Sequence, residues 1–170
     1  MSQLRTNSIV PVGGIPAGAS GGGIIQIVES VNTTSLSYTL NTTQSDTALT
    51  VSITPRSSSN KILFMANIAC TEGSTAGGQF FGLKRGATQL VNPSSRSNVF
   101  GFVNVNGLPN GQYNIGNNTL MYLDSPATTS STTYTVTVYG VSGTNTMYIN
   151  RSNDNGTTGR SHLYAMEISG

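Results

Sequence analysis

Through residues 49–70 the chain passes from one hydrophobic pattern to another. Leu49, Val51 and Ile53 alternate with Thr50, Ser52 and Thr54. A period of two predicts a strand with one apolar face. Pro55 offers no N–H for further pairing, and the Arg-Ser-Ser-Ser-Asn run at 56–60 is a polar turn cluster. From Lys61 the run KILFMANIA is almost continuously apolar. A strand of that kind is covered on both faces, so it calls for a partner sheet or a partner subunit. The unit reads as a central hairpin, with the rest of the chain wrapped around it.

The flanking segments carry the same short period. IIQIVES (24–30) reads as a first strand and 35–40 as a second. After the hairpin come QFFGLKR (79–85), a Gly86-Ala87 turn into ATQLV, and an alternating stretch at 99–105. TLMYLD (119–124), TYTVTVYG (133–140), TMYIN (146–150) and HLYAMEI (162–168) follow. Polar pieces separate them at 72–78, 92–98, 107–118 and 151–159. Roughly eight to ten short strands, with no helix-length 3.6-residue period, predict an all-β sandwich or jelly roll. A closed barrel is the alternative. Residues 1–23 differ. Pro11, Pro16 and several glycines punctuate a short apolar group, Ile9, Val10, Val12 and Ile15. They predict an extended N-terminal arm with a Gly-rich hinge, ahead of a β-sandwich domain over 24–170.

Ser, Thr, Asn and Gly supply nearly half of the 170 residues, and charged residues only 8%. Disorder of the usual kind needs high net charge and few β-branched residues. Here the net charge is +2, and Val, Ile and Thr are plentiful. Composition therefore selects a Thr- and Asn-rich β protein. The eight basic residues form no stripe, so no nucleic-acid partner is expected. Cys70 is the sole cysteine, which excludes an intrachain disulfide and a Cys-based metal site; it reads as a small buried apolar residue. No run approaches the ~18 apolar residues of a membrane helix, and the first residues lack a signal-peptide core. Synthesis and folding in a cytosol, without membrane insertion, are expected.

No catalytic set, metal site or cofactor is expected. His162 is the only histidine, and it has no sequence neighbour that would make it a general base. The acids Glu29, Asp46, Glu72, Asp124, Asp154 and Glu167 form no close pair of the glycosidase kind. Asn153-Asp154-Asn155-Gly156 has the look of a calcium loop. Arg151 and His162, however, stand where that loop wants its first and last carboxylates, so an Asx-turn loop is the reading. Phe80, Phe81, Phe100, Phe102 and Tyr113 could form a stacking platform. In alternating strands they read rather as core or subunit interface.

Four blocks together resemble one known family. They are LRTNSIVPVGGIPAGASGGGIIQIV at the start, LTVSITPRSSSNKILFMANI in the centre, YLDSPATTSSTTYTVTVYG with YINRS, and the terminal LYAMEI. In combination they resemble small virion proteins and fibre-tip domains of marine tailed bacteriophages, cyanophages included. The resemblance covers nearly the whole chain and is weakest over about 71–115. It implies a jelly-roll sandwich, a homotrimer, and display on the virion exterior.

The resulting expectation is a non-enzymatic virion structural protein, specifically a capsid decoration (cement) protein on the outer head. A tail fibre needs a long shaft, whereas only the arm lies outside the body. Leu4, Arg5, Ile9, Val10, Val12 and Ile15 are the expected anchor contacts with the major capsid protein or another virion protein. Phe80, Phe81, Phe100 and Phe102 are the expected oligomer contacts. The alternative is a receptor-binding knob of a tail or head fibre, with a host surface glycan as a possible partner. Its exposed recognition loops would present Glu72, Asn92, Arg96, Asn110, Tyr113, Asn153 and Asp154. A glycan hydrolase is a third and weaker reading.

Overall fold

A strand with one apolar face must bury it against another layer, and this chain does so with two antiparallel sheets. The computed structural model describes residues 23–40, 42–72, 78–95, 100–101, 115–141 and 145–170. The expected anchor residues, from Leu4 to Ile15, lie outside them. The strands are β1 (Ile24–Asn32), β2 (Leu36–Leu40), β3 (Ser45–Ile53), β4 (Lys61–Glu72), β5 (Gln79–Arg85) and β6 (Thr88–Val91). They continue with β7 (Phe100–Gly101), β8 (Gly116–Asp124), β9 (Thr132–Gly140), β10 (Asn145–Ile149) and β11 (Ser161–Ile168), and a 3₁₀ turn spans Pro93–Ser95.

In the first sheet β4 has β8 on one side. On its other side β11 and then β10 lie end to end. β1 and β2 pair outside β11 and β10. The second sheet runs β3-β9-β5, with β6 and β7 end to end along β5. Counting each end-to-end pair as one strand leaves eight positions whose pairings nest. The first pairs with the last (β1 with β11) and β3 with β9; inside these, β4 pairs with β8 and β5 with β6. This is a long hairpin folded over two sheets, the jelly-roll arrangement. No pairing joins the sheets among the described residues, so the molecule is a sandwich and not a barrel.

The expected central hairpin is not one. β3 belongs to the second sheet and β4 to the first, so residues 54–60 cross between layers. Both edges of β4 are taken by β8 and β11, which leaves no edge for β3. The crossing is held by a buried carboxylate. Glu167 Oε1 accepts the Arg56 N–H and Asn60 Nδ2, each at 2.6 Å, and Oε2 accepts Gln26 Nε2 at 2.6 Å. Asn60 Oδ1 in turn accepts the N–H of Gly170, and Ser169 donates to the Gly23 carbonyl. The start of β1, the crossing and the end of β11 thus meet at one residue. Burial alone would raise the Glu167 pKa. Hydrogen bonds from Asn60, Gln26 and the N–H groups of Arg56 and Ser57 outweigh it and hold the pKa below the usual value.

Between the sheets lie Leu49, Val51 and Ile53 of β3 and Ile62, Phe64 and Ile68 of β4, with Phe81 and Leu83 of β5. Each such side chain stabilises the fold by about 2 kcal/mol on burial. A second polar lock crosses this core. Asp124 of β8 accepts Tyr134 Oη at 2.7 Å and Arg85 Nη1 at 2.7 and 2.8 Å, both partners coming from the opposite sheet. The Tyr134 hydroxyl is pushed well above its ordinary pKa, first by burial and then by that carboxylate.

Candidate interaction face

The inner face of the first sheet packs on the second, and its outer face is apolar too. One cross-strand row is Leu123–Leu63–Met166–Ile27, and the next is Met121–Met65–Tyr164–Glu29. Ile27, Met121 and Leu123 are 56%, 57% and 52% exposed, and Ile24 and Val31 are exposed as well. Leu63, Met65, Tyr164 and Met166 are half-buried. Among the described residues, the continuously apolar β4 is therefore covered on one face only. The second sheet has the opposite character along β3 and the adjoining part of β9, while at its other end the outer face carries the Phe80–Tyr139 pair. Its outer face carries Thr50 opposite Thr135 and Ser52 opposite Thr133, the latter pair hydrogen-bonded through their hydroxyls, with Asp46 bonded to Lys84.

A small polar island interrupts the apolar face at β1 and β11. His162 Nδ1 lies 2.9 Å from Glu29 Oε1, and the His162 and Tyr164 rings stack at 6.3 Å. Hydrogen bonds from His162 and then Tyr164 hold the Glu29 carboxyl below its ordinary pKa. His162, which has no useful neighbour in sequence, thus hydrogen-bonds a carboxylate 133 residues away.

The expected subunit-interface phenylalanines sit elsewhere. Phe81 is fully buried between the sheets, and Phe100, its cross-strand neighbour, packs against the same core. For Phe81 this corrects the expectation: it serves the fold of a single chain, because alternation on β5 turns it inward, while Phe100 stays half-buried beside it. Phe80 is half-buried on the outer side of the second sheet, over Gly78. Phe102 lies outside the described residues.

The expected recognition positions divide similarly. Glu72 is not in a loop. β4 extends through it because Met147 of β10 pairs with it, and it is only 2% exposed. Asn118 is likewise in a strand, buried, with Nδ2 donating to Cys70 Sγ at 3.1 Å. Burial pushes the Cys70 thiol up to about 12, the Asn118 bond acting weakly the other way. Asn92 is exposed, and its Oδ1 accepts the N–H and hydroxyl of Ser94, which starts the Pro93–Ser95 turn. Arg96, Asn110 and Tyr113 lie outside the described residues. Asn153 and Asp154 are in a loop of Asx-turn type: the Asp154 carboxylate accepts the Ser152 hydroxyl and the Gly156 N–H. The same two bonds hold its pKa down.

That loop is fixed by Asn150, which is buried at a φ of 59°, a left-handed conformation that Asn tolerates. Its Nδ2 reaches the Asn32 carbonyl and Oδ1 at 2.9 Å and the Thr34 carbonyl at 3.1 Å. Its Oδ1 accepts the Ser161 hydroxyl at 2.7 Å. One side chain thereby aligns the β1–β2 and β10–β11 breaks that lie side by side in the sheet. The sequence offered one usable signal for the outer face: KILFMANIA, TLMYLD and HLYAMEI each carry apolar residues at both parities. Nothing in it pointed to the polar hubs at Glu167, Asp124 and Asn150.

No protein-family model matches the chain, and no curated protein matches it.

Proposed function

We propose that the chain is a non-enzymatic structural subunit of a bacteriophage virion, and within that class a capsid decoration protein on the outer head. The observation that supports this reading is the contrast between its two outer faces. One is threonine-rich and suited to water. The other is apolar across four strands, as in a module built to be covered in an assembly. The resemblance of its sequence blocks to virion proteins supplies the kind of assembly. Residues 1–23, with Leu4, Arg5, Ile9, Val10, Val12 and Ile15, would anchor the body to the major capsid protein or another virion protein.

One observation favours the alternative, a receptor- or glycan-binding knob. Leu40, Glu72, Gly116 and Asn145 lie at one end of the first sheet, and Gln79 and Gly140 at one end of the second. These strand ends therefore gather at one tip of the described body. Co-sedimentation of the full chain, and of a chain lacking residues 1–22, with virions stripped of it separates the readings. The decoration reading expects the full chain on heads and the truncated chain in the supernatant. Binding of both forms to host cells and of neither to heads would overturn it in favour of the knob.

A further inference from the structure

We propose that the outer face of the first sheet is the surface through which copies of this chain associate. The inference rests on the reading of the chain as an assembly subunit and names the partner of that face. Three observations carry it.

The first is the internal comparison. Both sheets come from one chain of uniform, polar composition, yet the rule that a solvated antiparallel sheet alternates apolar inside with polar outside is followed along β3 and the adjoining part of β9 and not on the first sheet. The row Leu123–Leu63–Met166–Ile27 breaks that rule on four successive strands. The second is area. The half-exposed aliphatic side chains expose on the order of 500 Å², near the upper end for the largest patch on a monomer. With the half-buried residues between them they approach the ~800 Å² that each partner contributes to a stable interface. The third is charge. Within this patch a carboxylate, Glu29, and an imidazole, His162, lie side by side, while Lys61 stands at its end. A face of one sign would repel its own copy and invite an oppositely charged partner. A face that carries a carboxylate beside an imidazole and a lysine can meet its own copy, donor to acceptor, in a closed symmetric contact.

Sedimentation equilibrium of the full chain over a wide concentration range tests this, with three variants beside it. Leu123→Lys and Ile27→Lys place a charge at the two flanks of the same row, and both sites are more than half exposed. Thr50→Lys, on the outer face of the second sheet, is the control. The expected result is a self-associating wild type. Leu123→Lys or Ile27→Lys should raise its dissociation constant about a hundredfold, with an unchanged thermal melt, while Thr50→Lys associates like wild type. A wild type that is monomeric throughout, or lysine variants that associate normally, overturns the proposal. If Leu123→Lys fails to fold, Ile27→Lys decides. Head co-sedimentation of the same proteins keeps the two ideas apart. A monomer that still binds heads sinks self-association and leaves the virion role standing. An oligomer that binds no virion does the reverse.

Discussion

Replacing Glu167 with alanine removes the acceptor of at least three donors at once: the Arg56 N–H, Asn60 Nδ2 and Gln26 Nε2. Hydrogen bonds to a charged acceptor contribute about 1.5–3 kcal/mol each, but Gln26 keeps its second bond to the Thr54 carbonyl, and Arg56 is at the surface. The net loss for Glu167→Ala is therefore about 3–5 kcal/mol. Glu167→Gln retains the shape and one acceptor oxygen. Its amide nitrogen meets a donor, so the loss is about 2–3 kcal/mol. In a chain of this size each kcal/mol moves the melting temperature by about 2–4 °C. Urea and thermal melts should thus place Glu167→Ala about 10 °C below wild type and Glu167→Gln about half as far.

The pH dependence follows from the lowered pKa of this carboxyl. Its folded value lies below its ordinary 4.5. The charged form therefore stabilises the fold above 4.5, and that contribution is lost as pH falls through the lower, native value. The stability gap between wild type and Glu167→Gln should be full at neutral pH and close on acidification below 4.5. An alanine variant within about 1 kcal/mol of wild type, or a gap that widens in acid, would refute the reasoning.

Two further predictions concern the other hubs. Tyr134→Phe removes one bond to the buried Asp124 and should cost about 1–2 kcal/mol in a urea melt; Asp124→Ala also strands Arg85 and should cost about 3–4 kcal/mol. Asn150→Ala loses the side-chain bonds and keeps the left-handed backbone, whereas Asn150→Gly loses the bonds alone. Thermal melts should rank wild type above glycine and glycine above alanine, the last two about 1 kcal/mol apart. Equal variants would mean that backbone strain at this position is negligible.

The strands were legible because each is a local pattern. IIQIVES, QFFGLKR with its Gly86 turn, and TYTVTVYG lie where period-two reading puts them. What alternation does not carry is which strand lies beside which. β3 and β4 are neighbours in sequence and read as a hairpin, yet they sit in different layers because β4 finds both its partners more than 45 residues away. Phe80 and Phe81 show a second gap. When both parities are apolar, the pattern gives two faces without saying which is inside, and Phe81 proved to be core. Glu72 shows a third: it begins a loop-like run, EGSTAGG, but a partner strand from the far end of the chain extends β4 over it. The polar hubs were illegible for the same reason. Glu167 meets residues up to 141 positions away, and Glu29 meets His162 across 133. The one strong hint of a partner, a strand apolar on both faces, was in the sequence from the start.

The most direct test of this account is a cryo-EM reconstruction of virions that carry the chain. The account predicts sandwich density repeated over the head, with Leu123, Met121 and Ile27 covered by a neighbouring copy and the Thr50–Thr135 face turned to solvent. Density confined to fibre tips, or head-bound copies whose Leu123 row faces water, would contradict it.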